Sequence, residues 1–222
     1  MTYKESLMLI GDEWATLSDD KKIEVLQSIE NHMAFESNRM SVPVEGKFLY
    51  TGTDGIVLGE YDPGKGCIYV NTSQFDSESM YGKDSSTLVT TCLHEGRHAY
   101  QHQVANGTVA HDNLEEAEVW RENLNGENYI SFEDNPRGYF EQPVEVDARD
   151  FASNRYNELL SERQVEIEHQ TDYHCAKNVF EEQISNAENG ESNLAADYHQ
   201  VDDLNKSQEL SSVANTEETI HQ

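Results

Sequence analysis

Leu88-Val89-Thr90-Thr91-Cys92-Leu93-His94-Glu95-Gly96-Arg97-His98-Ala99-Tyr100 combines a helical apolar repeat with a metal-ligating pattern. Leu88, Val89, Cys92, Leu93, Gly96, Ala99 and Tyr100 recur at helical spacing. Ser85 or Ser86 supplies an N-cap and Asn106-Gly107 a stop, which predicts a helix of about five turns. Residues four apart on a helix lie one above the other. His94 and His98 therefore share a face beside the apolar side, with Glu95 next to them. Two imidazoles at that spacing can reach one metal ion. Zinc suits the set, because imidazole nitrogen binds it well and tetrahedral coordination leaves a position for water. Bound zinc brings that water's pKa toward neutrality, and a nearby carboxylate can take the proton. The alternative is a solvated helix face with two surface histidines; the amphipathic context favours the metal. Cys92, two residues before His94, points away from the ligand face and reads as core.

A two-histidine site needs a third protein ligand. The segment Tyr139-Phe140-Glu141-Gln142-Pro143-Val144-Glu145-Val146-Asp147-Ala148-Arg149-Asp150-Phe151-Ala152 offers one. Pro143 fits the first position of a helix, where its missing N–H costs nothing. Val144, Ala148, Phe151, Ala152, Tyr156, Leu159 and Leu160 then form an apolar face. Glu145 lies on the edge of that face, and a carboxylate there needs a partner because burying a bare charge is costly. A metal ion would serve. The competing account is that Glu145, as the third helical residue, is an acid placed for capping or for the helix dipole. Gln142 is a poor N-cap, which weakens it.

His94-Glu95-x-x-His98 followed by Pro143-x-Glu145-x-Asp147-Ala148-x-x-Phe151-Ala152 resembles the glutamate-zincin metallopeptidases, most closely the ImmA/IrrE-like group. The chain has Asp147 where that group often has a second glutamate, and Arg149 where Asn or Asp is common. The resemblance, which covers about residues 88–160, implies one Zn2+ per chain held by His94, His98 and Glu145, with Glu95 as the catalytic base. It also implies that an edge strand of a small sheet pairs with an extended protein or peptide substrate. Tyr139, six residues before Glu145, is a candidate donor to the oxyanion of a tetrahedral intermediate.

The rest of the chain is expected to build an α+β fold: a mostly helical, zincin-like core with a small antiparallel sheet beside the histidine-bearing helix. Residues 1–40 read as N-terminal helices, with Leu7, Ile10, Trp14 and Leu17 on one stripe. Ser18-Asp19-Asp20 restarts a helix whose Ile23, Leu26, Ile29 and Met33 face the core. Strands are expected within 44–75, at 47–51, 56–61 and 67–71. Thr53-Asp54-Gly55 and Asp62-Pro63-Gly64-Lys65-Gly66 act as turns between them. The site helices occupy 85–160, with Leu114, Ala117, Trp120 and Leu124 inward on an intervening helix and a loop at 125–138 holding a short strand at 129–132. A further helix is expected at 165–184. The domain is drawn as 1–185, followed by an acidic, disordered tail at 186–222.

The formal net charge of −28 over 222 residues opposes binding to nucleic acid and docking on anionic membranes. It favours basic or amphipathic protein partners, although solubility alone also explains it. No run of residues has the apolar length to span a bilayer, and the first residues lack the form of a secretory signal. Three scattered cysteines suit a reducing compartment. A cytoplasmic protein is expected, with signal-independent export as a further possibility from the Tyr198-His199-Gln200-Val201-Asp202 spacing. Two functions are carried forward: a zinc-dependent metallopeptidase, and a zinc-stabilised interaction or regulatory protein without catalysis. A glutamate beside a metal histidine has no structural purpose and favours the first.

Overall fold

The fold is described from a computed structural model, for residues 1–50, 57–76, 81–82 and 84–188. The chain divides into a unit Met1–Ile167 and a second unit from Glu168 onward. The first contains the core, the sheet and the candidate site. The turn expected at 53–55 and the tail from 189 lie outside the described residues.

Helix α1 (Tyr3–Leu9) starts at a capping box in which the Thr2 side chain takes Glu5 N–H and the Glu5 carboxylate takes Thr2 N–H. A 3-10 turn at Trp14–Thr16 buries Trp14 completely. Helix α2 (Asp19–Glu36) is capped by the Ser18 hydroxyl, as the sequence suggests. Leu7, Ile10, Trp14, Val25, Leu26, Ile29 and Met33 join one core cluster, which also takes Val44, Ile68 and Val70 from the sheet.

The sheet differs from expectation. It has three strands, β1 (Val44–Lys47), β2 (Gly59–Asp62) and β3 (Cys67–Asn71), in the order β1-β3-β2. β2 and β3 form the expected antiparallel hairpin, with Asp62 opposite Cys67. The Asp62 carboxylate accepts from the N–H groups of Gly64 and Lys65 and closes the turn. β1 instead pairs parallel to β3, Val44 opposite Ile68, so the sheet is mixed and not antiparallel. The physical reason lies in β3, whose five residues are all buried. A strand buried on both faces belongs at the centre of a sheet with a neighbour on each side. β1 also begins earlier than the expected 47–51 and runs through Gly46.

Helix α3 (Ser86–Ala105) carries the histidines. Ser85 stands at its N-cap position, but its hydroxyl donates to Ile10 O, and the Asp84 carboxylate accepts from Ser86 N–H in its place. Leu88, Val89, Cys92, Leu93 and Ala99 are buried in the core cluster. Cys92 lies wholly within it, as expected, and burial pushes its thiol pKa up. Glycine is required at two close approaches to this helix. A Cβ on Gly59 of β2 would lie 2.5 Å from Thr91 Cγ2, and one on Gly96 would lie 2.9 Å from Glu30 Oε2 of α2. Glu30 and Arg39 form a buried bidentate pair at 2.6 Å against that glycine.

Helix α4 (Leu114–Asn123) buries Ala117 and Trp120 with Val104 and Val144 in a second cluster. Leu114, expected inward, is exposed. It is the first residue after the Asn113 cap, ahead of the buried turn. Residues 129–132 form no strand. Both backbone groups of Ile130 are taken by the Gln142 side-chain amide at 3.0 and 3.1 Å, so they need no strand partner. Part of the expected loop is a short helix α5 (Pro136–Glu141), capped by Asn135.

Helix α6 (Pro143–Glu188) starts at Pro143 as expected. Its N-terminal cap is remote: Asn123 Oδ1 of α4 accepts from Val144 N–H at 3.1 Å. The separate helix expected at 165–184 is the continuation of α6. Ser161-Glu162-Arg163-Gln164 contains neither Gly nor Pro, so nothing ends the helix there. The described architecture is mostly helical with a small mixed sheet, an α+β arrangement. No described helix is long and apolar enough to cross a membrane.

Candidate metal centre

The helical spacing of α3 brings His94 and His98 onto one face, and the start of α6 delivers Glu145 to them. His94 Nε2 and His98 Nε2 are 3.0 Å apart. Glu145 Oε2 lies 3.3 Å from His94 Nε2, and Glu145 Oε1 lies 3.4 Å from His98 Nε2. These three residues can hold one metal ion, since a donor atom from each falls within 4.8 Å of the others. Glu145 is only 1% exposed, and its carboxylate turns to the imidazoles and not to the helix N-terminus. The capping account therefore fails. The expected trio is brought together by two helices whose relation the sequence does not state.

The electrostatics follow from the crowding. Burial alone would raise the pKa of Glu145, but hydrogen bonds and charge from His94 and His98 outweigh it and hold the carboxyl well below its usual range. Burial alone would lower His98. The Glu145 hydrogen bond, the charges of Glu95 and Glu145, and the Gln101 hydrogen bond outweigh that and hold the imidazole above its usual value. His98 and Glu145 thus favour one another's charged forms, and a metal ion at this site would displace the proton of His98.

Glu95 is nearly buried beside His94, facing Gly59 of β2. Among the described residues no hydrogen bond or ion pair engages its carboxylate. The sheet order leaves β2 at an edge next to this residue. Tyr139, on α5, faces Glu145. Burial first, then the charges of Glu145, Tyr129 and Glu95, push its phenol well above the usual value. Tyr129 donates to Glu145 Oε1 at 3.2 Å, and its phenol is raised by burial first, then by the charge of Glu145 and the hydrogen bond to it. Tyr129, Phe132, Tyr139 and Phe140 meet edge to face around the entrance of α6.

Sequence reasoning missed Tyr129, which it assigned to a strand, and Gln101. The signal for Gln101 was present: it lies one turn after His98, on the same helix face. It is fully buried and bonded to His98 Nδ1 at 2.8 Å. Arg97 forms a bidentate bond to Asp147 at 2.8 and 2.9 Å. His102 contacts Tyr61 and stays outside the cluster. His111 pairs with Glu116 and Tyr100, not with its neighbour Asp112. No protein-family model, curated protein or solved structure matches the chain.

Proposed function

We propose that the chain is a zinc-dependent metallopeptidase that hydrolyses peptide bonds of a protein or peptide substrate. The observation that carries this reading is the convergence of His94, His98 and Glu145 beside a nearly buried carboxylate, Glu95, which no hydrogen bond or ion pair engages among the described residues. A tetrahedral ion with bonds of about 2.1 Å has ligand-to-ligand edges of about 3.4 Å, and the three separations here are 3.0, 3.3 and 3.4 Å. Two imidazoles and one carboxylate are a donor set that zinc accepts in catalytic sites.

When bound, zinc supplies Lewis-acid polarisation of a carbonyl and makes water more acidic. Glu95 accepts the proton of the attacking water and passes it to the leaving amine. The hydroxyls of Tyr139 and Tyr129 stay protonated at neutral pH, because burial and Glu145 disfavour the phenolate. A protonated phenol is a donor for the developing oxyanion, and Tyr139, on the short helix that leads into α6, is assigned this role. The outer edge of β2, beside Glu95, offers backbone groups to an extended substrate strand. The charge of −28 steers basic segments toward the molecule and repels nucleic acid.

The test is Glu95→Gln. It keeps the side chain's size and its place on α3, so the variant is expected to fold and hold zinc while losing a factor of about a hundred to ten thousand in peptide hydrolysis. Equal cleavage by wild type and variant, each with one zinc per chain, would refute the role of Glu95. A zinc-loaded wild type that cleaves nothing in a broad peptide and protein screen favours the zinc-stabilised interaction protein instead.

A further inference from the structure

We propose that Gln101 is the positioning residue of this site. Its side-chain amide keeps a proton on Nδ1 of His98 and so turns the Nε2 lone pair toward His94 and Glu145. The inference rests on reading those three residues as metal ligands.

Donors and acceptors fix the orientation of the amide. Gln101 is fully buried on α3. Its Nε2 lies 2.9 Å from Val144 O and 2.6 Å from Asp147 Oδ2. A backbone carbonyl and an ionised carboxylate only accept hydrogen bonds, so the NH2 end of the amide must face them. The opposite orientation would set three oxygens against one another in a buried place. The carbonyl end is then fixed toward His98 Nδ1, at 2.8 Å. An amide oxygen cannot donate, so Nδ1 must carry the hydrogen. Nε2 is left as the nitrogen that can bind metal.

Asp147 is held in turn. Arg97 donates to both its oxygens, at 2.8 and 2.9 Å. The Arg97 guanidinium is wedged among the rings of Tyr100, Trp120 and Phe151, 4.7 to 5.1 Å from their centres. The relay Arg97–Asp147–Gln101–His98 leaves α3, crosses to α6 and returns. It ties the tautomer of one ligand to the same helix pairing that delivers Glu145. The Val144 carbonyl, which also fixes the amide, belongs to the residue before Glu145. Partners of this kind orient metal-binding histidines and raise their basicity, and removing one typically costs 10–100-fold in metal affinity.

Two measurements test the assignment. The first uses the metal-free wild-type protein at alkaline pH, where nitrogen NMR of labelled histidine distinguishes the two neutral tautomers. We expect a protonated Nδ1 and a bare Nε2 on His98; the reverse would overturn the proposal. The second compares zinc affinity of wild type and Gln101→Leu by chelator competition. We expect Gln101→Leu to bind zinc about 10–100-fold more weakly and to lose the tautomer preference while remaining folded. A folded Gln101→Leu with wild-type affinity would overturn the proposal and leave the metal site standing. A wild type that binds no zinc would overturn the metal reading itself. If Gln101→Leu does not fold, the wild-type tautomer decides.

Discussion

Acid should release the metal, and the pH at which it does so follows from the charges in the cluster. In the metal-free protein His98 is held above its ordinary value of 6.5, chiefly by Glu145, against the opposing effect of burial. At pH 6 it therefore carries a proton, which must leave before Nε2 can bind zinc. Glu145 is pushed below its ordinary value of 4.5 and is already ionised, so it contributes no proton in this range. Between about pH 6.5 and pH 5 the dissociation constant should rise toward a factor of about ten per pH unit for the one proton displaced from His98, about 1.4 kcal/mol. The two groups also set the stability of the metal-free fold in opposite directions. The raised pKa of His98 gives stability that is fully present below 6.5 and lost as pH rises through the folded value. The depressed pKa of Glu145 gives stability present above 4.5 and lost as pH falls through its folded value. The metal-free cluster is thus most stabilising between those two ordinary values, and the gain from adding zinc grows above them. Titration calorimetry at pH 6, 7 and 8, in two buffers with different ionisation heats, counts the protons displaced. Thermal melting with and without zinc gives the stability difference. Affinity constant from pH 6 to pH 8, with no proton released, would refute this reasoning.

Glu145→Ala should lose most of its zinc on dialysis, because two imidazoles alone bind the ion weakly; full occupancy by metal analysis would remove Glu145 from the ligand set. Gly96→Ala places a Cβ 2.9 Å from Glu30 Oε2 and 3.4 Å from Arg39 Nη2. Overpacking against that buried pair should cost about 1–3 kcal/mol, lowering the melting temperature by about 2–4 °C for each kcal/mol. An unchanged calorimetric melt would show that α2 and α3 yield easily there. Tyr139→Phe should retain zinc and lower kcat by about 100-fold or more, as loss of an oxyanion donor does. Wild-type kcat in this variant would leave Tyr129 as the remaining phenol for the role.

The sheet and residues 129–132 show how far local pattern reaches. Asp62-Pro63-Gly64-Lys65-Gly66 encodes its hairpin locally, since the Asp62 carboxylate and the backbone N–H groups that close the turn lie within three residues. The place of β1 is not local. Periodicity carries no information about which strand pairs with which, and the parallel pairing of Val44 with Ile68 joins residues 24 positions apart. Residues 129–132 have strand-forming side chains but no strand, because Gln142 satisfies Ile130 from 12 positions away.

The candidate site divides in the same way. The sequence by itself determined that His94 and His98 share a face with Glu95 beside them, because helical pitch fixes that geometry once the apolar stripe and the ends of α3 are in place. It also marked Pro143 as a helix start and Glu145 as an acid on a buried edge. Only the tertiary structure decided that the two helices meet with Glu145 Oε1 and Oε2 reaching one imidazole each. The same meeting let Asn123 cap α6 and let Gln101 find Val144 O and Asp147. These are contacts between residues 21 to 51 positions apart in the chain. Each depends on the packing of α3, α4 and α6 around Trp120, Val104 and Val144, which sequence spacing does not contain.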